Sequence, residues 1–296
     1  MTIKHAEELT EEVILNMNYP DFVALMQQDN TPPGAEYTID YWIKHGCINK
    51  KSHLLDLACS TGFSSRECFK KEGASAEGID ISESAVMVAN EKAKKLKANN
   101  LLKYYVADAC DLPFEDNSFT HVLGGCNFAF IQNRLIALNE THRCLNHMGS
   151  MCISNFYYRR KISDKLINDV YNAINFRPNP LWTLEYWYQF FSERFTLVSE
   201  ENHEMESQSE DELKADIYDY IFNRNEFTKG LNGSLQNVFF ERFLKIRRPL
   251  NIQRDYQGVT LQIWRKKITP SKIVKHAREL IIKGLNRVIT HLSFLM

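Results

Sequence analysis

The stretch LLDLACSTGFSSRE, residues 54–67, decides how the chain is read. An apolar strand (HLLDLACS, from residue 53) runs through a tight turn into a short helix (SSRECFKKEG) that Gly73 closes. That is the opening of a nucleotide-type βαβ unit, yet the turn keeps one glycine, Gly62, where such turns usually have three. Ala58 and Ser60 stand at the earlier glycine positions. Small residues still let a ligand approach the backbone, but the G-x-G-x-x-G spacing that cradles a pyrophosphate is absent. A dinucleotide such as NAD or FAD is therefore disfavoured.

Outward from this stretch, strand and helix patterns alternate. SAEGIDIS reads as a second strand, and SESAVMVANEKAKKLKANN as a helix that Ser82 can cap. LLKYYVADA and SFTHVLGGC read as strands, RLIALNETHRCLNHMGS as a helix ending at Gly149, and MCISNFYY as a strand. WTLEYWYQFFSE looks helical, FTLVSEENHEM extended, and VTLQIWRKK is a final strand. This alternation predicts an α/β, Rossmann-like fold: a seven-stranded, mostly parallel sheet with helices on both faces. Three further parts are expected: an N-terminal helical lid over 1–52, a helical insertion at about 204–257 before the last strand, and an appended helix over 268–296. The main domain then spans 53–267.

In open parallel sheets, ligands bind beyond the carboxyl ends of the strands. Those ends carry Asp56 to Phe63, Asp80, Asp108 and Gly124 to Asn127. A carboxylate closing the second strand suits a ribose, whose hydroxyl hydrogens it accepts. Asp80 lies 24 positions after Asp56, near the spacing of about 20 expected of such a unit.

The order and content of these segments resemble the class I S-adenosylmethionine-dependent methyltransferases, small-molecule branch. The resemblance covers residues 53–158, with weaker support from VTLQIW. The family's first loop, D/E-x-G-x-G-x-G, falls on DLACSTG, its second-strand acid on Asp80 in GIDIS, and its adenine-side stretch on VADACDLPFEDNSFTHV. Thr120 replaces the usual acid of the S-F-D segment, and GGCNFAFIQN stands where nucleic-acid amino-methylating relatives carry [N/D]-P-P-[Y/F]. The resemblance implies S-adenosylmethionine as cofactor and S-adenosylhomocysteine as product. It implies cofactor contacts at Asp56, Ala58, Ser60, Gly62, Phe63, Asp80, Ile81, Asp108, Ala109 and Cys126, with Leu112, Pro113 and Phe114 shaping the adenine-side loop. N-terminal elements of relatives close over the cofactor's methionine end, which brings in Tyr37 and Thr38 after the Pro32-Pro33-Gly34 turn. Asn127 sits where substrate-side residues lie and is the candidate for positioning the acceptor. The implied function is methyl transfer to O, N or C of a small molecule in specialised metabolism. Two alternatives stay open: another reaction in the same pocket, such as cyclisation or aminopropyl transfer, and a non-catalytic cofactor-binding subunit.

The bulk numbers exclude several other classes. An apolar share of 44% with 25% charged residues is ordinary for a globular chain of 296 residues, and the net charge of −1 gives no overall attraction to nucleic acid. Seven scattered cysteines without a C-x-x-C pair point to reduced thiols, with no metal site and a cytoplasmic location. His121 and His142 read as packed structural residues, and Cys59 and Cys126 as buried fillers rather than nucleophiles. From Arg265 onward the chain carries a net +7 against −8 for the rest. Residues 273–292 form a basic amphipathic pattern that fits a membrane surface, a partner subunit or the protein's own acidic body. The aromatic run FRPNPLWTLEYWYQFF suits either a substrate-pocket wall or a core helix.

Overall fold

Strand order explains how the chain makes a cleft. In the computed structural model, which describes residues 9–26 and 29–267, β1 (His53–Leu57), β2 (Ser75–Asp80) and β3 (Leu102–Val106) step outward on one side. The chain then crosses back beside β1 to lay down β4 (Phe119–Gly125) and β5 (Leu145–Tyr158). β6 (Phe195–Glu204) takes the far edge, and β7 (Gln257–Lys266) slots between it and β5, antiparallel to both. The order is β3-β2-β1-β4-β5-β7-β6, and every other pairing is parallel. The reversal between β1 and β4 opens a crevice at their carboxyl ends.

Helices cover both faces. In chain order they are α1 (Glu11–Asn16), α2 (Tyr19–Leu25), α3 (Ala35–Gly46), α4 (Phe63–Glu72), α5 (Glu83–Lys95) and α6 (Asn127–Phe130). They continue with α7 (Arg134–Cys144), α8 (Asp164–Ile174), α9 (Leu184–Ser192), α10 (Glu210–Asp219) and α11 (Gly233–Arg254). Ser82 caps α5 as expected, accepting from Ala85 N at 3.3 Å. Successive strand residues feed opposite cores: Leu55 and Leu57 pack with Trp187 and Phe191, whereas Leu54 packs with Ile39, Trp42 and Ala89. That double burial is why the strands read as apolar runs rather than alternating ones.

A third core joins α1 and α2 to the insertion, where Ile14 and Phe22 meet Ile217, Phe239 and Phe243. The insertion occupies the place of a hairpin loop, because Met205 N donates to Gln257 O at 3.1 Å where it leaves and re-enters the sheet.

Two expectations need correction. The helix expected to reach Gly149 stops at Cys144, and β5 already begins at Leu145. Leu145 is fully buried and paired with Phe119, and Lys266 Nζ donates to its carbonyl, so tertiary contacts claim it for the sheet. The 1–52 region is also not one lid: α3 belongs to the sheet core, with Trp42 Nε1 donating to Ile153 O at 3.2 Å. The start of that lid (residues 1–8) and the basic helix expected over 268–296 lie outside the described residues. Among the described residues no helix is long and apolar enough to cross a membrane.

Candidate cofactor and acceptor site

The loop after β1 is held by its own amides. Cys59 N donates to Ile79 O at 2.8 Å, Gly62 N to Cys59 O at 2.8 Å, and Ser60 N to Asp80 Oδ2 at 2.8 Å. Ala58, Ser60 and Gly62 all take left-handed backbone, with φ of 51°, 48° and 74°. At Gly62 nothing else fits, since a Cβ there would lie 2.6 Å from the Tyr104 ring. At the other two positions a side chain is accommodated at the cost of strain.

Asp56 lies under this loop rather than in the cleft. It is 4% exposed and accepts from Ser65 N at 3.1 Å and Ser65 Oγ at 2.6 Å, tying β1 to α4. Burial pushes its carboxyl up to about 6, against the pull of the Ser65 bonds. Asp80, by contrast, opens into the cleft. Its two oxygens accept Ser60 N and Ser82 N, at 2.8 and 2.9 Å, which fixes the carboxylate and leaves each oxygen a second lone pair.

The cleft has a volume of about 1020 Å³. Of the cofactor contacts expected from sequence it is lined by Ala58, Asp80, Ile81, Asp108, Ala109 and Cys126. Asp56, Ser60, Gly62 and Phe63 are not on its lining: they build and brace the loop. Tyr37 and Thr38 are displaced from it too, because Thr38 is fully buried with its hydroxyl on Pro33 O, and the Tyr37 hydroxyl donates to Glu201 on β6. Their place is taken by the preceding strap, residues 30–35, which closes one side of the cleft. Leu112 is core and Phe114 packs against that core, as a loop-shaping role requires.

Asn127 lines the cleft, but its amide is committed. Nδ2 donates to Leu57 O at 2.6 Å and Oδ1 accepts Phe128 N at 2.9 Å, so the side chain bridges β1 and α6. Cys126 is buried, which pushes its thiol up to about 11 and leaves it unreactive near neutrality. His121 is 8% exposed, with Nε2 on Gly46 O at 2.8 Å, and is the packed residue expected.

A second cavity, of about 260 Å³, adjoins the cleft. Cys126, Phe130, Phe156, Arg247 and Arg254 line both. Its walls come from the end of β5, from α8 and α11, and from Phe176, Pro178 and Trp182. The aromatic run thus divides: Phe176 and Trp182 wall the cavity, while Trp187 and Phe191 are core. Trp182 is 8% exposed, and its Nε1–H has no hydrogen-bond partner, an orphaned donor beside an open cavity.

Arg247 and Arg254 escaped the sequence reading. They lie seven positions apart on α11, two turns, and so share a face. Burial lowers the Arg247 pKa and Arg254 lowers it further, while Tyr19 and Asp216 nearby oppose that fall. Among the described residues neither arginine has a carboxylate within ion-pair distance. Two half-buried guanidiniums beside an apolar cavity, with Asp216 acting on Arg247 only from beyond ion-pair contact, offer a place for an anion.

A family model described as a methyltransferase domain matches residues 55–153. The demethylmenaquinone methyltransferase of Staphylococcus carnosus (strain TM300) is 36% identical over 109 residues, 36% of this chain and 44% of that protein. The chain thus spans less than half the length of that relative. A crystal structure of the MccD protein is 94% identical, covering 80% of this chain and 100% of that one, with a TM-score of 0.74. The [4+2]-cyclase SpnF, at 16% identity, covers 80% of this chain and 82% of its own with a TM-score of 0.59 and shares the fold.

Proposed function

The chain belongs to the class I S-adenosylmethionine-dependent methyltransferase family, and from that premise we propose that it transfers the methyl group to a small, anionic acceptor with a planar apolar body. The observation that carries this is Asp80, fixed by two backbone amides at the mouth of a cleft that runs into an aromatic cavity bearing two arginines.

The residues present fit the cofactor. Asp80 has lone pairs left for both ribose hydroxyls, Ile81 and Ala109 offer apolar surface to an adenine face, and Asp108 offers a carboxylate to its amino group. The tight turn at Ala58 brings backbone against the ligand. When bound, S-adenosylmethionine supplies an already activated carbon on its sulfonium. The protein's part is to align an acceptor and exclude water. Phe130 and Phe156, common to both spaces, keep the junction apolar, and Trp182 Nε1 and the two arginines orient the acceptor. No histidine lines either space among the described residues, and the Cys126 thiol stays protonated. Positioning rather than proton removal is therefore the chemistry proposed, with an acceptor atom that is nucleophilic at working pH.

Calorimetry with S-adenosylhomocysteine tests the cofactor half. Asp80→Ala should weaken binding by about 30-fold or more, the scale of lost hydrogen bonds to a charged group; unchanged affinity would sink the assignment. Product analysis tests the reaction. Methyl transfer leaves S-adenosylhomocysteine in step with a methylated acceptor. Methylthioadenosine would instead mean transfer of the cofactor's aminocarboxypropyl group. Turnover without cofactor consumption would mean a reaction such as SpnF's name implies for that protein. A cofactor bound but never used would leave a binding subunit.

A further inference from the structure

One carboxylate outside the expected site gathers an unusual set of partners. Asp29 accepts from Thr61 Oγ1 at 2.6 Å, from Arg66 Nη2 at 3.1 Å and from Lys92 Nζ at 2.5 Å. These come from three places: Thr61 from the turn that bears Ala58 and Ser60, Arg66 from α4 and Lys92 from α5. Arg66 is 4% exposed and also donates to Thr61 O, so the carboxylate and the turn share one buried guanidinium. Burial works against ionisation of Asp29, but Lys92, Thr61 and Arg66 outweigh it and hold the carboxyl below its ordinary range.

Asp29 immediately precedes the strap, residues 30–35, that walls the cleft. The strap's other end is fixed as well. Ala35 N donates to Pro32 O at 2.8 Å, Thr38 bonds Pro33 O, and Pro32 sits so close to Gly125 that a Cβ there would lie 2.6 Å from the Pro32 Cβ. Between these two fixed ends the strap has no other side-chain tie to the turn after β1 among the described residues.

We propose that Asp29 is a positioning residue for the cofactor: it ties the strap to the cofactor turn, closing that side of the cleft and slowing cofactor release. This rests on the cofactor reading above. The ion pairs to Arg66 and Lys92 are partly shielded from water, with side-chain exposures of 5% and 27%, and are screened less than a surface pair. Loss of the carboxylate frees the strap at one end while leaving Asp80 and the floor of the cleft in place.

The test is the dissociation rate of S-adenosylhomocysteine from the full chain, by displacement in a stopped-flow instrument. Asp29→Ala should release it about tenfold faster or more, the scale of one charge-assisted hydrogen bond. Asp29→Asn keeps an acceptor for Thr61 and Arg66, and Lys92→Met removes one cation. Both should accelerate release by a smaller factor with the ligand-free melting temperature unchanged. The acceleration by Lys92→Met should vanish in the Asp29→Asn background, which a merely structural role would not produce. Wild-type release rates in these variants, or acceleration only in proportion to lost ligand-free stability, would overturn the proposal. Absence of binding by the unaltered chain would overturn the cofactor reading and this proposal with it.

Discussion

At Ser60 a side chain occupies backbone that glycine adopts freely, with φ of 48°. Left-handed backbone costs an L-residue about 1–2 kcal/mol, and glycine's extra freedom in the unfolded chain returns about 0.4–1 of that. Ser60→Gly is therefore expected to stabilise the fold by about 0.5–1 kcal/mol in urea denaturation. A loss of stability would show that the Ser60 side chain contributes more than the strain it imposes. Asp56 makes a separate prediction in pH. Its ordinary value of 3.8 rises to about 6 in the folded protein, so the folded state holds the proton where the unfolded chain has lost it. Stability from this group is full below 3.8 and falls as pH climbs to about 6. In Asp56→Asn, whose Oδ1 can still accept both Ser65 bonds, that fall is absent. The stability of the variant relative to wild type should rise between those limits, by about 3 kcal/mol at most. A flat difference across the window would mean that Asp56 is not charged at cost in the fold. Neither effect is visible in residue types alone, because a strand-end aspartate reads the same whether it faces a ligand or a serine beneath it.

Among the elements, α11 places Arg247 and Arg254 where the cleft meets the second cavity, and on the proposed reading it orients the acceptor. Arg247→Ala and Trp182→Phe should each raise the acceptor KM about tenfold, the scale of a hydrogen bond to charge for the arginine, while S-adenosylhomocysteine affinity stays within about twofold. Loss of cofactor affinity in step with acceptor affinity would place these side chains in the donor site instead. Legibility from sequence follows the same division. The strand and helix order was readable because apolar strand runs and helical periods alternate along the chain, with a cap signal such as Ser82 at α5. Asp80 and Asp108 were readable because strand ends face the crevice in any sheet of this order. The end of α7 was not, because Leu145 joins β5 through Phe119 and Lys266, both remote in sequence. Tyr37 and Thr38 were displaced for a similar reason: partners on β6 and in the strap, not local pattern, decide where they point. Arg247 and Arg254 carried no local signal, because they reach the cavity only once α11 folds against the end of β5.

Taken whole, the molecule has a sheet with two buried faces and a separate helical core shared by α1, α2, α10 and α11. Phe243, 6% exposed, packs against Phe22 and Tyr220 at ring-centroid distances of 6.1 and 5.7 Å. Phe243→Ala should cost about 3–5 kcal/mol where that core is concerned. Amides of those four helices are then expected to exchange faster together while the sheet's protection holds, with acceptor turnover lost before cofactor binding. Uniform acceleration across sheet and helices would mean a single cooperative unit. That separation gives the meeting of Met205 and Gln257 a further meaning. A hairpin can be closed by a short turn or by a whole cassette of helices, because closure entropy grows only slowly with the length between strands already held in register. The junction is thus a natural splice point. Exchanging the cassette would then change the walls of the second cavity while leaving the strand ends around Asp80 in place.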